Sequence, residues 1–214
     1  MSLIGPQLNA VFDRFSKNAP DAIKTPINSS RAELATFDTS QAIKIGDRIP
    51  EFKLKDAVGK EQDSTALRAS GPLVITFYRG EWCPFCNIAL SGFQKHLDDF
   101  KAKGVTVVAL TPELPNGTLT MTEKHELQFP VLTDPHNEYA RKLGIVWKQP
   151  ESLRPVFDNF KHNLPKRNGD DSFELPLPAT LLVDKDGIVR NLYLNPDYIK
   201  RVEPQTVLAW IDAL

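Results

Sequence analysis

The residues best suited to chemistry are the two cysteines of the chain, Cys83 and Cys86, which lie two residues apart in the sequence GEWCPFC. A thiolate is both a nucleophile and a metal ligand, so a close pair suggests redox exchange, part of a metal site or ordinary packing. A structural zinc site needs about four Cys or His ligands, and the four histidines show no ligand spacing relative to the pair. The pattern therefore favours a redox-active dithiol.

The segments that flank the pair predict a strand before it and a helix after it. LVITFY, residues 73–78, is apolar on both faces, which is typical of a central strand covered on both sides. An apolar stripe from Ile88 to Phe100 predicts an amphipathic helix. VTVVAL, residues 105–110, predicts a second buried strand, so the three segments indicate a βαβ unit with parallel strands.

The start of the predicted helix is a place where a thiolate is stabilised. Free N–H groups and the positive end of the helix dipole lower the pKa of a thiol there. Pro84 suits the first helical turn because its missing N–H is not needed at that position. The spacing of the cysteines places both sulfurs on one face of the helix, within reach of a disulfide bond. Helix-terminus electrostatics alone favour Cys83 as the more reactive and more accessible thiol.

The pattern before residue 45 predicts a helical arm, residues 1–44, that precedes the main domain. Leu8, Phe12 and Phe15 recur on one apolar face of its first helix, and Ser29 or Ser30 is expected to cap a second, short helix. Since this face would otherwise be exposed, we expect it to cover apolar surface of the core or of a second subunit, which allows a homodimer.

Residues 45–214 predict one domain that contains a Pro-rich, polar insertion at about residues 145–176. After the insertion, ATLLVD and IVRNLYL predict a β-hairpin that turns at residues 185–187. A helix over residues 204–213 is expected to close the chain.

Composition excludes several classes of function. Hydrophobic residues make up 41% and charged residues 25% of the chain, the balance of a soluble globular protein. A net charge of -1 gives no reason to expect nucleic acid as a partner. The apolar runs are too short to span a membrane, and the N-terminus does not read as a signal peptide. The reducing cytoplasm is the expected compartment, and no metal or organic cofactor is implied.

The cysteine pair and its surroundings resemble two related redox families. GEWCPFC resembles the active-site turn of thioredoxins, in which a Trp precedes the CxxC motif. A longer span, about residues 45–200, resembles peroxiredoxins of the alkyl hydroperoxide reductase/thiol-specific antioxidant family, through motifs that include FYRGEWCPFC, FPVLTDP and ATLLVDKDGIVR. This resemblance implies an α/β protein with a thioredoxin-like fold, in which helices flank a central mixed β-sheet.

The peroxiredoxin motif Pro-x-x-x-Thr-x-x-Cys gives the register of the resemblance. Aligned without gaps, it places the peroxide-attacking cysteine at Cys86, the motif Thr at Cys83 and the motif Pro at Arg79. The family's arginine before a late strand falls on Pro178. Thioredoxins have a cis proline at that position beside the CxxC motif. The resemblance therefore implies a cis Leu177–Pro178 bond that faces the pair.

Three neighbours of the pair are candidate supporting residues, and each has a purely structural interpretation beside the functional one. Trp82 either packs or forms a docking surface for a substrate. Glu81 is either a solvated charge or a proton carrier for a buried thiol. Arg79 is either a surface or ion-pair residue, or the cation that stabilises a thiolate.

The resemblance implies a thiol-dependent antioxidant enzyme that reduces hydroperoxides through a Cys83/Cys86 dithiol–disulfide cycle. An external thiol donor such as thioredoxin, glutaredoxin or glutathione would restore the dithiol. Two alternatives stay open from the sequence. One is a thioredoxin-like protein disulfide oxidoreductase with little peroxidase activity, in which Cys83 attacks first. The other is a non-enzymatic redox sensor or binding module.

Overall fold

The structure is a computed structural model that describes residues 3–214, and its centre is a mixed sheet of seven strands in the order β2-β1-β5-β4-β3-β8-β9. Strands β3, β4 and β5 are parallel, whereas β1, β8 and β9 run antiparallel to their neighbours. Two further strands, β6 and β7, form a small antiparallel sheet. The strands are β1 (Lys53–Asp56), β2 (Glu61–Asp63), β3 (Leu73–Phe77), β4 (Thr106–Thr111), β5 (Val131–Thr133), β6 (Val146–Lys148), β7 (Glu174–Pro176), β8 (Ala179–Val183) and β9 (Val189–Leu194).

Helices cover both faces of the main sheet. They are α1 (Gly5–Asn18), α2 (Asp21–Leu34), α3 (Ser64–Ala69), α4 (Pro84–Lys95), α5 (Leu97–Ala102), α6 (Pro115–Lys124), α7 (Glu138–Lys142), α8 (Arg154–Asn159), α9 (Leu164–Asn168) and α10 (Pro204–Asp212). Within the described residues, no helix combines the length and the apolar character that a membrane crossing requires.

Strand β3 is buried on both faces, as its continuous apolar sequence predicts. Leu73, Ile75 and Phe77 contribute to the core on one side of the sheet, and Val74 contributes to the core on the other side. The parallel pairing of β3 with β4 confirms the predicted βαβ unit, and the antiparallel pairing of β8 with β9 confirms the hairpin. Together these elements hold the start of α4 at the carboxyl end of β3.

The first two helices lie in the region predicted as an arm. Leu8 and Ile4 are buried in the core cluster that contains residues of α4, and the backbone N–H groups of Ile4 and Gly5 donate to the carboxylate of Glu203 at 2.9 and 2.8 Å. The predicted short helix capped by Ser29 or Ser30 is wrong. α2 begins at Asp21 and runs through both serines, because Pro20 starts the helix and tertiary packing buries Ser30 and Leu34. The division into arm and domain stays a prediction.

The segment predicted as an insertion contains α8, α9 and both strands of the small sheet. Its apolar side chains form a separate cluster around Val156, Phe157 and Phe173. Ile23 and Ile27 of α2, together with Trp82, pack against this cluster. The segment predicted as a polar, Pro-rich insertion therefore packs beside the cysteine pair through Trp82.

The expected cis bond at Leu177–Pro178 is wrong, since the described chain contains no cis peptide bond. The chain passes almost directly from β7 into β8, with only Leu177 and Pro178 between the two strands. The Leu177 N–H donates to the carbonyl of Ile145 at 2.7 Å, which keeps this step extended rather than turned. The comparison with the thioredoxin loop therefore does not hold at this position.

Candidate active site

Cys83 and Cys86 lie at the junction of β3 and α4, where the sequence predicted them. Cys83 is the residue before the helix, with an extended backbone (φ -89°, ψ 109°), and Pro84 occupies the first turn. The N–H groups of Cys86 and Asn87 donate to the Cys83 carbonyl at 3.0 and 3.1 Å. Both thiols are free, and the two residues are only 1% and 0% exposed. The pair is thus a reduced, buried dithiol at a helix start.

Cys86 carries the sulfur that is stabilised as a thiolate. Its Sγ lies 3.5 Å from the backbone N–H donor of Arg79 and 3.4 Å from Nη2 of Arg201. Burial alone would raise the pKa of Cys86. The hydrogen bond from Cys83, the charge of Arg201, and the N–H and charge of Arg79 outweigh that effect and lower the pKa to about 5. Cys86 is therefore a thiolate at neutral pH.

Cys83 has the opposite electrostatic character. Burial raises its pKa well above the usual thiol value, and its hydrogen bond to Cys86 raises it further. Cys83 thus stays protonated and donates to the Cys86 thiolate. Helix-terminus electrostatics alone favoured Cys83, whereas burial raises the pKa of this thiol. Loss of solvent around Cys83 outweighs the favourable field of the helix start.

Arg79 is a buried residue rather than a surface one. Its Nη2 donates to Oε1 of Gln149 at 3.2 Å. The guanidinium lies 4.1 Å from the ring centre of Tyr198 and 4.9 Å from that of Trp82, so two aromatic rings hold it in place. Its charge lowers the pKa of both cysteines. This geometry supports the predicted role of Arg79 as a cation that stabilises the thiolate.

Arg201 contacts the cysteine pair and was missed by sequence reasoning. It lies in the loop between β9 and α10, 115 residues after Cys86. Its Nη1 donates to the carbonyls of Tyr198 and Lys200, which orients the guanidinium. No motif marks this arginine, because its loop has no regular spacing relative to the cysteines. It nevertheless brings a cation to the Cys86 sulfur.

Trp82 packs, as its structural interpretation predicted, and it also borders a cavity. Its ring meets that of Phe157 edge-on at 5.1 Å and lies 5.5 Å from the ring of His162. With Arg79 and Tyr198, it lines an apolar cavity of about 380 Å³ that Cys83 also lines. Trp82 thereby joins the cysteine loop to the insertion.

Glu81 is part of an ion-pair cluster and is not a solvated charge. Its carboxylate lies 3.0 Å from Nζ of Lys124 and 3.5 Å from Nη1 of Arg167. The Glu81 N–H donates to the buried carboxylate of Glu113 at 2.6 Å, and Arg167 pairs with the same carboxylate at 3.1 Å. Glu113, which follows β4, therefore ties the loop before Cys83 to α9 of the insertion. Sequence reasoning identified neither Glu113 nor Arg167.

Glu113 should make the stability of the fold depend on pH. Burial raises its pKa to about 7, although the Glu81 N–H and Arg167 lower it in part. Between pH 4.5 and 7 the folded chain thus retains a proton that the unfolded chain releases. The free energy of unfolding should therefore fall as the pH rises through this range. In Glu113→Gln the decrease in the free energy of unfolding over this pH range should be smaller by on the order of 1–3 kcal/mol. Urea unfolding at several pH values measures the difference.

A matched control for this prediction is Glu123→Gln, which removes an exposed carboxylate on α6. This variant should keep the pH dependence of the unmodified protein. Equal pH dependence of unfolding in Glu113→Gln and in the control would contradict the assignment of this titration to Glu113.

Comparisons with known proteins agree with this architecture. The model of the family described as "AhpC/TSA family" matches residues 45–192. Among curated proteins, the chain is 24% identical over 169 residues to peroxiredoxin Bcp of Escherichia coli K12, covering 79% of this chain and 96% of the relative. It is 25% identical over 182 residues to the chloroplastic peroxiredoxin Q of Gentiana triflora, covering 85% and 71% of the two chains.

Solved structures support the same fold. Peroxidoxin BcpB from Mycobacterium tuberculosis superposes with a TM-score of 0.63 at 20% identity, over 80% of this chain and 98% of the other. Peroxiredoxin Q from Xanthomonas campestris gives a TM-score of 0.59 at 18% identity, over 76% and 90% of the chains. The predicted thioredoxin-like α/β fold is confirmed. Since the family model spans more than half of the 214 residues, this protein belongs to the AhpC/TSA family and is a peroxiredoxin-like member of it.

Proposed function

We propose that this enzyme reduces hydroperoxides through a cycle in which Cys86 attacks and Cys83 resolves. The observation that carries the proposal is the surroundings of the Cys86 sulfur. This sulfur accepts hydrogen bonds from the Arg79 N–H and from Arg201, and its pKa is lowered to about 5 although it is buried. A thiolate with nearby donors can attack an oxygen of a peroxide while those donors stabilise the charge that develops on the leaving oxygen.

The proposed oxidation has two steps. The Cys86 thiolate attacks the peroxide ROOH, the O–O bond breaks, and the products are Cys86 sulfenic acid and an alcohol that takes a proton from solvent. The Cys83 sulfur then attacks the sulfenic acid and displaces its hydroxide. The hydroxide takes the Cys83 proton and departs as water, and a Cys83–Cys86 disulfide forms. The protonated state of Cys83 keeps it from competing for the peroxide in the first step. In the second step Cys83 gives up this proton as it attacks the sulfenic acid.

Two thiols from an external donor would return the disulfide to the dithiol, with thioredoxin, glutaredoxin or glutathione as the ordinary donors. Such donors are abundant in the reducing cytoplasm, where a cycle of this kind would operate. We assign to Arg201 the role that the resemblance gives to the family's arginine, and Arg79 adds a second positive charge beside the pair. These are the supporting residues that we assign to the reaction.

Cys83→Ser should stop the cycle after one oxidation and so test the proposal. A serine hydroxyl can still donate to the Cys86 thiolate, so the first step should proceed while resolution fails. We expect each chain to consume one peroxide and gain one oxygen atom in intact-mass measurement, and we expect dimedone to trap sulfenic acid on Cys86. The double variant Cys83→Ser/Cys86→Ser is the control and should give no adduct.

The opposite outcome would contradict the proposed order. Dimedone labelling of Cys83 in Cys86→Ser, without labelling of Cys86 in Cys83→Ser, would assign the first attack to Cys83. In the unmodified protein, steady consumption of peroxide with a thiol donor separates an enzyme from a redox sensor. Reduction of insulin disulfides in the absence of peroxide turnover would indicate a disulfide oxidoreductase.

A further inference from the structure

An apolar cavity of about 380 Å³ lies beside the cysteine pair. Its walls come from four parts of the chain that are distant in sequence: the first two helices, residues 79–85 around the cysteine pair, the insertion at and beside α8, and the loop after β9. The residues that represent these walls are Val11, Phe12, Ile27, Phe157, Phe160 and Tyr198. Cavities of this volume are large enough to hold a small organic molecule.

Only one of the two cysteines lines the cavity. Cys83 lines it, together with Pro84 and Phe85 from the start of α4, whereas Cys86 is not among the described residues that line it. The Cys86 sulfur instead faces Arg201 and the Arg79 N–H. A molecule bound in the cavity would therefore lie beside Cys83, the cysteine to which we assign resolution rather than attack on the peroxide.

The lining favours an uncharged molecule with a hydrocarbon body. Arg79 is the one charged residue among the described lining residues, and it is already engaged by Gln149 and by the rings of Tyr198 and Trp82. Burial lowers the pKa of His162, so its ring is neutral at neutral pH. A ligand with several charges would lose its hydration here without gaining partners, whereas a short aliphatic chain would bury apolar surface.

We propose that this cavity binds a small aliphatic dithiol, which reduces the Cys83–Cys86 disulfide by attacking the sulfur of Cys83. This inference rests on the dithiol–disulfide cycle proposed above and identifies the chemical class of its electron donor. It differs from the ordinary expectation of a protein thiol or a charged tripeptide, because Cys83 is only 1% exposed and is approached through an apolar chamber.

The proposed exchange balances in two steps. A thiolate of the donor attacks Cys83, a mixed disulfide forms between the donor and Cys83, and the bond between the two cysteines breaks to release Cys86 as a thiolate. The second thiol of the donor then attacks the donor's other sulfur, which is bonded to Cys83 in the mixed disulfide. The donor leaves as a cyclic disulfide, and Cys83 leaves this step as a thiolate that takes up a proton. Two electrons pass from the dithiol to the protein.

Two features of the site favour this direction of attack. Release of Cys86 places the departing negative charge beside Arg201 and the Arg79 N–H, which already stabilise a thiolate there. A better-stabilised thiolate leaves faster in disulfide exchange. A mixed disulfide within the cavity would be shielded from a second bulky donor, so a donor that carries both thiols completes the reaction most readily.

The test measures reduction of the disulfide directly. The disulfide is formed with diamide, so the measurement does not depend on peroxide oxidation and the proposed function can fail independently. Dihydrolipoamide and dithiothreitol are compared as dithiols with and without an aliphatic chain. We expect the second-order rate constant for dihydrolipoamide to exceed that for dithiothreitol by about 10-fold or more. Equal rate constants in the unmodified protein would overturn the proposal.

Variants on α1 locate the effect in the cavity. Val11→Trp fills the cavity from its wall and should remove most of the advantage of dihydrolipoamide, whereas Ala10→Trp adds the same ring on the exposed side of the helix and should retain it. Ile27→Trp fills the cavity from α2 and guards against a folding defect specific to α1.

Unchanged dihydrolipoamide rates in both cavity variants would overturn the proposal. So would slower oxidation by cumene hydroperoxide with unchanged reduction, which would assign the cavity to the peroxide.

Discussion

Cys86→Ser should abolish peroxide consumption, with a loss of about 10⁴-fold or more in turnover. Cys86 carries the thiolate that Arg201 and the Arg79 N–H stabilise, and a serine hydroxyl at the same position does not ionise at neutral pH. Cys83 cannot replace it, because its pKa is raised and it stays protonated. The loss is measured as the rate of peroxide consumption in an excess of thiol donor, with a colorimetric assay for the remaining peroxide.

The pH dependence of the first oxidation checks the same assignment. A thiol with a pKa of about 5 is almost fully ionised at neutral pH, so the oxidation rate of the reduced protein should be constant near pH 7 and half-maximal near pH 5. Cys83→Ser should keep this first step, which makes it the matched control. If Cys86→Ser consumed peroxide as fast as the unmodified protein, the proposed register would be wrong.

Arg201→Met should give the second-largest loss, because it removes the charge nearest to the attacking sulfur while it keeps an apolar side chain of similar length. The Arg201 Nη2 atom lies 3.4 Å from the Cys86 Sγ, and removing an opposite charge at such a distance should raise the thiol pKa by about 1–3 units. The oxidation profile should therefore shift to higher pH. Loss of the donor to the developing charge should lower the rate by about 100-fold even where the thiol is ionised.

Two control variants separate these effects from a general loss of charge. Arg190→Met removes an exposed arginine of β9 that pairs with Asp184 and has no contact with the cysteine pair. It should leave the thiolate titration, followed at 240 nm, unchanged. Arg201→Lys keeps the charge without the planar donor geometry and should shift the pKa of Cys86 less than Arg201→Met does. Identical titrations for Arg201→Met and Arg190→Met would contradict the role of Arg201.

The sequence alone determined the local framework of the site. The apolar run of β3, the CxxC motif and the amphipathic α4 each carry their signal within a few neighbouring residues, so the junction that holds Cys83 and Cys86 was predictable from periodicity. The hairpin of β8 and β9 was predictable for the same reason. Family resemblance then selected Cys86 as the attacking cysteine, and the structure supports that choice through the lowered pKa of this residue.

Only the tertiary structure decided which groups surround the sulfurs. Arg201 reaches Cys86 from 115 residues away, and Glu113 ties the cysteine loop to the insertion through Arg167, yet neither residue stands in a recognisable motif. The bond before Pro178 is trans, although the resemblance to thioredoxins implied a cis bond. The order of the two thiol pKa values depends on burial and on charges brought together by packing. Such long-range contacts leave no periodic pattern in the sequence. Local sequence patterns therefore predicted the strands and the helix around the cysteine pair, but not the charges that surround its sulfurs.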